Sequence, residues 1–180
     1  MNTSSDIPKS TAEAKPIAPK VKELVEKSKS VILGTVDADG KPNSSYAPFL
    51  KIESTYYVLV SFMARHTKNL RDQKKVSMMF IADESTSKQI YARERLTFDA
   101  LTEQIERNSD KWNNVIPALK EKYGKVLDVI SPMEDFILIA IHPISGSYVN
   151  GFGSAYIIDT NLEVLTHRND IAHGTIPEDN

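Results

Sequence analysis

The sequence predicts a mainly β domain of six or seven closely spaced antiparallel strands, with a short N-terminal helix and one longer helix near residues 109–123. Three observations predict this class. Short apolar runs rich in β-branched residues recur along the chain, turn residues separate several of them, and clear helical periodicity occurs in only two stretches. Hairpin-linked strands of this kind close into a barrel or a sandwich. A chain of 180 residues is long enough for one such domain with a proper core.

Composition excludes several classes of function. The absence of cysteine excludes disulfides, thiolate catalysis, cysteine-based zinc sites and covalent c-type haem attachment. A net charge of −2 gives no general reason to expect a nucleic-acid partner. No segment approaches the roughly 20 apolar residues of a membrane span, so no membrane association is expected. The first residues lack the apolar segment of a secretory signal, which makes a cytoplasmic protein the default expectation.

The chain is expected to divide into three parts. Residues 1–16 are polar without periodicity and predict a flexible tail. Residues 17–160 hold the apolar runs and predict a single domain, and residues 161–180 are again polar and predict a C-terminal tail. The domain opens with a short amphipathic helix to about Ser28, whose apolar residues recur at helical spacing.

The strands follow this helix. Asp37 to Gly40 forms a turn in which glycine makes a positive φ inexpensive. Ser109 is placed to cap the longer helix, Pro117 inside it is expected to kink or split it, and Gly124 is expected to end it. The predicted strands are 31–36, 44–52, 55–61 and 76–81, a long strand entered over 88–95, and two strands after residue 135.

The first of those last two strands is the most apolar stretch of the protein. Phe136 to Ile141 contains no polar side chain and is closed by His142 and Pro143, which predicts a short strand buried on both faces. Asp135 immediately precedes this strand. Its carboxylate either ends the strand and prevents it from pairing with another strand at its edge, or it faces a functional site.

A basic turn lies between two of the predicted strands. Five Lys or Arg residues fall between Arg65 and Lys75, together with His66 and a single acid, Asp72. Such a cluster, which includes Lys68, can hold a phosphate or a propionate through charge-assisted hydrogen bonds. The alternative is a solvated helix face.

The four histidines are His66, His142, His167 and His173, and their spacing is not that of a helical zinc site. A neutral imidazole can ligate iron through one nitrogen while the other donates to a carboxylate, which fixes the tautomer and raises the basicity of the ligand. Asp135 is the candidate carboxylate. The alternatives are that His142 is structural and that the tail histidines are merely solvated.

Arg93 and Arg95 flank Glu94 at the start of the predicted long strand. Strand alternation would place both guanidinium groups on one face and the glutamate on the other. Two arginines on one face can contact a ligand, or pair with acids on a neighbouring strand or across a dimer interface.

Taken in order, several short motifs resemble the HugZ/HutZ family of haem-utilisation proteins. This family comprises haem-degrading members of the FMN-binding split-barrel superfamily, whose flavin enzymes are similar to pyridoxamine-phosphate oxidase. The resemblance covers about residues 20–173. The motifs are VDADGKPN (36–43), SYAP (45–48), ARHTKNL (64–70), ARERLTF (92–98), EDF (134–136) and GFGSAY (151–156).

The resemblance implies a split β-barrel homodimer that holds haem at the subunit interface and degrades it with electrons from an external donor. It implies that His173 is the proximal iron ligand, with His167 as the alternative, and that Asp135 of the other subunit accepts a hydrogen bond from that histidine. It further implies that Arg95 lies near the haem. Arg93, His66 and Lys68 are the remaining expected haem contacts.

Two other functions fit the same resemblance. The first is an FMN-dependent oxidoreductase that holds the flavin phosphate with a Ser-x-Lys turn, in which Lys68 matches the lysine but His66 replaces the serine. The second is a non-enzymatic haem carrier or storage protein.

Overall fold

The fold is a mainly β, antiparallel split barrel with helices at its surface, described over residues 17–167 by a computed structural model. Nine strands form one sheet in that range, against the six or seven predicted. The helices are α1 (Ile17–Lys27), α2 (Arg65–Gln73), α3 (Asp110–Tyr123) and α4 (Val126–Ile130). The strands are β1 (Ser30–Val36), β2 (Pro42–Pro48), β3 (Leu50–Ile52), β4 (Thr55–Ser61), β5 (Lys75–Ile81), β6 (Arg95–Ile105), β7 (Phe136–Gly151), β8 (Ser154–Ile158) and β9 (Val164–His167).

The sheet closes because its two edges are nearly consecutive in sequence. The main strand order is β2-β1-β5-β6-β7-β4-β3, so β2 and β3 lie at opposite edges. Only Phe49 separates these two strands along the chain. The edges must therefore meet at Phe49, which is buried and whose N–H donates to the Tyr123 hydroxyl of α3 at 3.0 Å. The sequence predicts one strand over 44–52, and this corner is where it divides.

The strand over Phe136 to Ile141 is buried on both faces, as predicted. Ile137, Ile139 and Ile141 point into the barrel and join its main core. Leu138 and Ala140 point outward and are covered by α3 and α4. The helices contribute Trp112, Val115, Leu119 and Leu127 to this second core.

The longer helix begins and ends where the sequence predicts. The Ser109 side chain accepts a hydrogen bond from the Trp112 N–H, and Gly124 follows the last turn with φ of 79°. Pro117 does not split the helix. Val115 and Leu119, on either side of it, are both buried against the sheet, and this packing holds the helix across the lost hydrogen bond.

Three expectations about strands are wrong. Residues 88–95 do not enter the long strand: two 3₁₀ turns occupy 84–86 and 90–92, and β6 begins only at Arg95. The strand after residue 135 does not stop at Pro143 but continues to Gly151. In the register of β6 against β7, Ala100 lies opposite Pro143 and Asp99 lies opposite Ser145, so β7 has one extra residue here, a β-bulge. The bulge accommodates Pro143, which has no N–H to donate to the neighbouring strand. The sheet also extends past residue 160, because β9 pairs with β8 up to His167.

None of the helices within residues 17–167 is both long and apolar enough to cross a membrane.

Candidate functional site

Asp135 lies at one end of the barrel, in the turn between α4 and β7. Its carboxylate Oδ2 accepts a hydrogen bond from the Ser61 hydroxyl at 2.6 Å, and its carbonyl oxygen accepts from the Phe62 N–H at 2.8 Å. Both contacts arise because Ser61, the last residue of β4, is paired with Phe136, the first of β7. The half-buried carboxylate is therefore fixed to β4 rather than free in solvent.

Arg107 holds the chain that precedes β7. Its guanidinium donates to the carbonyl oxygens of Ser131, Met133 and Phe136, each at 2.7 Å. The same group lies 4.4 Å from the centroid of the Trp112 ring in α3. Three carbonyls on one planar donor group fix the backbone on both sides of Asp135.

The basic turn is the nine-residue helix α2, and it starts directly beside Asp135. Thr67, in its first turn, donates to the Ser61 carbonyl at 2.6 Å and so anchors the helix to β4. Burial lowers the pKa of His66, which favours a neutral imidazole at physiological pH. Lys68 is exposed.

Lys68 also lines a cleft of about 280 Å³ between α2 and the turn after β1. Arg65 is the other cation there and lies 3.6 Å from Asp37. Three carboxylates share the cleft: Asp37, Asp39 and Asp72. The surroundings of Lys68 are therefore less favourable to an anion than the sequence of α2 alone indicates.

The predicted pair of arginines on one strand face is not formed. Arg95 is the first residue of β6, and its Nη1 donates to the Arg93 carbonyl at 3.1 Å. Arg93 ends a 3₁₀ turn before the strand, where its Nε donates to the Ala82 carbonyl at 2.5 Å and its Nη1 to Glu84 at 2.7 Å. The alternation of side chains along a strand does not apply to this pair, because Arg93 precedes β6 and is not part of a strand.

A second polar pair lies beside these arginines. The buried Tyr148 hydroxyl donates to Glu94, and burial, with a smaller contribution from this hydrogen bond, raises the pKa of the tyrosine. Arg93 and Glu94 line a cleft of about 930 Å³ between α1 and the β7–β8 turn, where Phe152 is 69% exposed. This end of the barrel combines cationic and apolar surface.

The candidate residues fall into two groups at opposite ends of the barrel. Arg95 opens β6 opposite Val149, whereas the far end of β6, Ile105, is opposite Leu138, three residues after Asp135. At 3.3 Å per residue, the ten steps of β6 separate the two ends by roughly 33 Å along the strand. We call these the Asp135 end, which also carries His66 and Lys68, and the Arg95 end, which also carries Arg93.

Two of the three remaining histidines lie within the described part of the chain. His167 ends β9 opposite Tyr156, whose ring centroid lies 4.6 Å away in an edge-on arrangement. His142 lies within β7, and its ring nitrogens contact Thr55 at 3.4 Å and Glu103 at 3.3 Å, so it is a strand residue and not the turn residue expected. His173 lies outside the described residues. Within residues 17–167, no group of three His, Cys, Asp or Glu is placed to hold a metal ion.

The sequence did not indicate Ser61 or Arg107 as site residues. A polar residue ending the otherwise apolar strand β4, next to a basic helix, was an available signal for Ser61. Arg107 carried no signal, because its three acceptors are backbone carbonyls more than 20 residues away in the chain.

The chain is similar to known proteins over most of its length. Residues 17–150 match the family model described as pyridoxamine 5′-phosphate oxidase. A curated protein of Vibrio cholerae, heme oxygenase HutZ, is 45% identical over 140 residues, which cover 78% of this chain and 80% of that protein.

Solved structures agree with this similarity. The crystal structure of Vibrio cholerae HutZ, described there as a heme storage protein, superposes with a TM-score of 0.72 at 41% identity and covers 75% of this chain and 96% of that one. Campylobacter jejuni ChuZ superposes with a TM-score of 0.75 at 28% identity, over 91% of this chain and 64% of that longer chain. A Listeria innocua protein described as a putative pyridoxamine 5′-phosphate oxidase, at 19% identity and a TM-score of 0.56, shares the fold.

Proposed function

Because the chain belongs to the pyridoxamine 5′-phosphate oxidase family and, within it, to the HutZ-type haem-utilisation proteins, we propose that it binds haem and degrades it oxidatively. The expected products are iron and a biliverdin-type tetrapyrrole, and the physiological purpose is iron acquisition. The observation that carries the proposal is the 45% identity to a heme oxygenase over 78% of the chain.

Two exposed apolar side chains and two cations at the Asp135 end support the proposal of a porphyrin there. Haem is a flat apolar ring with two propionates, so it needs exposed apolar side chains next to cations. Met63 is 90% exposed and its neighbour Phe62 is 41% exposed. Arg65 and Lys68 of α2 follow within a few residues and are the cations proposed for the propionates. Asp37, Asp39 and Asp72 in the same cleft weaken that attraction.

Each candidate residue has a role suited to its chemistry. Bound haem supplies the oxygen chemistry and is itself the substrate, with electrons from an external donor. His173 is proposed as the iron ligand, and Asp135 as the acceptor for the free N–H of that imidazole, which increases its basicity and fixes its orientation. Arg95 provides donors that remain charged at physiological pH. His66, Lys68 and Arg93 are proposed as further contacts with the haem.

The separation of the two ends supports a site shared between two copies of the chain. A single haem cannot contact Asp135 and Arg95 of one chain if these residues lie about 33 Å apart along the strand. His167 lies opposite Tyr156 on the Arg95 side of the sheet, and six residues span at most about 20 Å, so the proposal assigns His173 to the Arg95 end of its own chain. We therefore propose that Arg95 and His173 of one copy meet Asp135 of the other.

An open face of the sheet is suited to pair the two copies. The outer face over β4 and the first half of β7 is covered by α3 and α4. The outer face over β2, β1 and β5 has no such cover within the described chain. A row of uncharged side chains crosses this open face, running through Tyr46, Ile32, Met79, Thr97, Ser147 and Ile157. This uncharged row, which has Arg95 and Asp99 beside it on β6, fits a two-fold contact with a second copy.

The test is an optical haem titration of the apoprotein, with His173→Ala and His167→Ala beside the wild type. The proposal expects one haem per chain, loss or shift of the Soret band in His173→Ala, and an unchanged band in His167→Ala. Adding a reductant and oxygen should then convert the bound haem to a biliverdin-type product. The opposite result for the two variants would move the ligand to His167.

A haem carrier is the second candidate, supported by the description of the solved Vibrio cholerae HutZ as a heme storage protein. Stoichiometric haem binding without breakdown under reductant and oxygen would favour this function.

An FMN-dependent oxidoreductase is the third candidate, and the family match supports it. A yellow protein that retains FMN and binds haem only loosely would overturn the haem proposal. The carboxylates beside Lys68 act against a flavin phosphate and a haem propionate alike, so this cleft does not separate the two candidates.

A further inference from the structure

The contact between Ser61 and Asp135 has a defined direction. Ser61 Oγ lies 2.6 Å from Asp135 Oδ2 and also 3.1 Å from the Met63 backbone nitrogen. A backbone N–H can only donate, so the serine oxygen accepts from Met63. Its single proton is then left for Asp135 Oδ2.

Ser61 itself is held from two further sides. Its backbone is in register with Phe136 across β4 and β7, and its carbonyl accepts from the fully buried Thr67 hydroxyl at 2.6 Å. The serine therefore presents its hydroxyl from a fixed position. A carboxylate bonded to such a hydroxyl loses its freedom to rotate about its last side-chain torsion.

The other carboxylate oxygen is left for a different donor. Within the described part of the chain, no side chain or amide donates to Asp135 Oδ1, and no cation forms an ion pair with this residue. With Oδ2 occupied by Ser61, Oδ1 is the oxygen available to an imidazole N–H.

We propose that Ser61 is a positioning residue for the haem site: it holds Oδ2 of Asp135 and so leaves Oδ1 in a fixed position to accept from the proposed iron-ligating histidine. The inference rests on the proposed haem-binding function. Groups that orient a metal-ligating histidine typically change metal affinity about 10- to 100-fold when removed. Ser61 acts on the histidine only through Asp135, so its loss is expected at the lower end, about 10-fold.

The test compares Ser61→Ala, which removes the hydroxyl, with Ser61→Thr, which keeps it, and with Asp135→Asn. The readouts are the iron–histidine stretching band of the reduced haem complex and the rate of haem transfer to apomyoglobin. Ser61→Ala should shift the band in the same direction as Asp135→Asn, by less, and broaden it. Haem transfer should be about 10-fold faster than in the wild type, and Ser61→Thr should restore both values.

Ser85→Ala is the matched control, because the Ser85 hydroxyl also donates to an aspartate, Asp83, at 2.6 Å. It should leave the band and the transfer rate unchanged. A shifted band in Asp135→Asn with an unchanged band in Ser61→Ala would overturn the role of Ser61 and leave the proposed function intact. The same holds if Ser61→Ala lowers only the melting temperature, because the residue is then structural. Failure of the wild-type chain to bind haem would overturn the proposed function and this inference together.

Discussion

Replacement of Arg107 by alanine tests whether the chain around Asp135 is held by one side chain. The change removes three hydrogen bonds of 2.7 Å from a charged donor and a contact 4.4 Å from the centroid of the Trp112 ring. One hydrogen bond to a charged group contributes about 1.5–3 kcal/mol. The three are not additive, and water can reach the half-buried carbonyls, so we expect a loss of about 3 kcal/mol in total.

The loss is measured by urea unfolding and by thermal melting of the apoprotein. For a domain of this size, about 3 kcal/mol corresponds to a fall of roughly 6–12 °C in melting temperature. Hydrogen exchange should also accelerate at the Phe62 amide, because it donates to the Asp135 carbonyl at 2.8 Å and that carbonyl is no longer fixed.

Two variants sharpen the interpretation. Arg107→Lys keeps the charge but cannot present a planar fork to three carbonyls, so it should recover less than half of the lost stability. Arg71→Ala removes an exposed arginine that, within residues 17–167, forms an ion pair with Asp72 and lies over the Phe62 ring, and it should cost at most about 1 kcal/mol. A loss in Arg107→Ala below about 1 kcal/mol, the contribution of a single ordinary hydrogen bond, would refute the role given to Arg107.

Three further changes test the core, the half-buried histidine and the open sheet face. Gly146→Ala places a Cβ 2.5 Å from the buried Phe98 ring and should cost about 1–3 kcal/mol on urea unfolding, whereas Gly151→Ala, whose Cβ meets nothing closer than 3.7 Å, should cost clearly less. Because burial lowers the pKa of His66, the unfolded chain binds the proton more tightly, and the free energy of unfolding should fall as the pH drops below about 6.5. His66→Gln should flatten that slope between about pH 5 and 7, and an identical slope would contradict the assignment. Tyr46→Glu puts a charge in the uncharged row and should yield monomers in sedimentation velocity; a dimer of unchanged affinity would place the interface elsewhere.

Local sequence patterns predicted correctly the elements whose structure depends mainly on residues nearby in the sequence. The apolar run over Phe136 to Ile141, the capped helix that starts after Ser109 and the basic helix α2 each follow from periodicity or capping within one segment. The two helices are confirmed at or near the predicted bounds, and the strand is confirmed in its start and its burial, although it continues to Gly151.

The wrong predictions concern features that distant residues decide. Phe49 divides one predicted strand because the barrel closes there, which depends on the meeting of edges β2 and β3. Pro143 does not end β7, because the β-bulge at this position means that no N–H is required from residue 143. The 3₁₀ turns before Arg95 are held by the contacts of Arg93 with Ala82 and Glu84.

The same limit applies to the candidate site. The sequence singled out Asp135 and Arg95, but only the register of β6 against β7 places them at opposite ends of the barrel. Ser61 and Arg107 were missed because their partners lie in segments far away in the chain.

The opposite placement of Arg95 and Asp135 has a genetic consequence. If each haem site takes Arg95 from one copy and Asp135 from the other, two different defective chains can complement each other. In a heterodimer of Arg95→Ala and Asp135→Asn chains, both defects fall in one site and the second site is wild type. Co-expression of the two mutant chains should therefore restore about half of the activity per heterodimer. Sites built within single chains would leave every site with one defect.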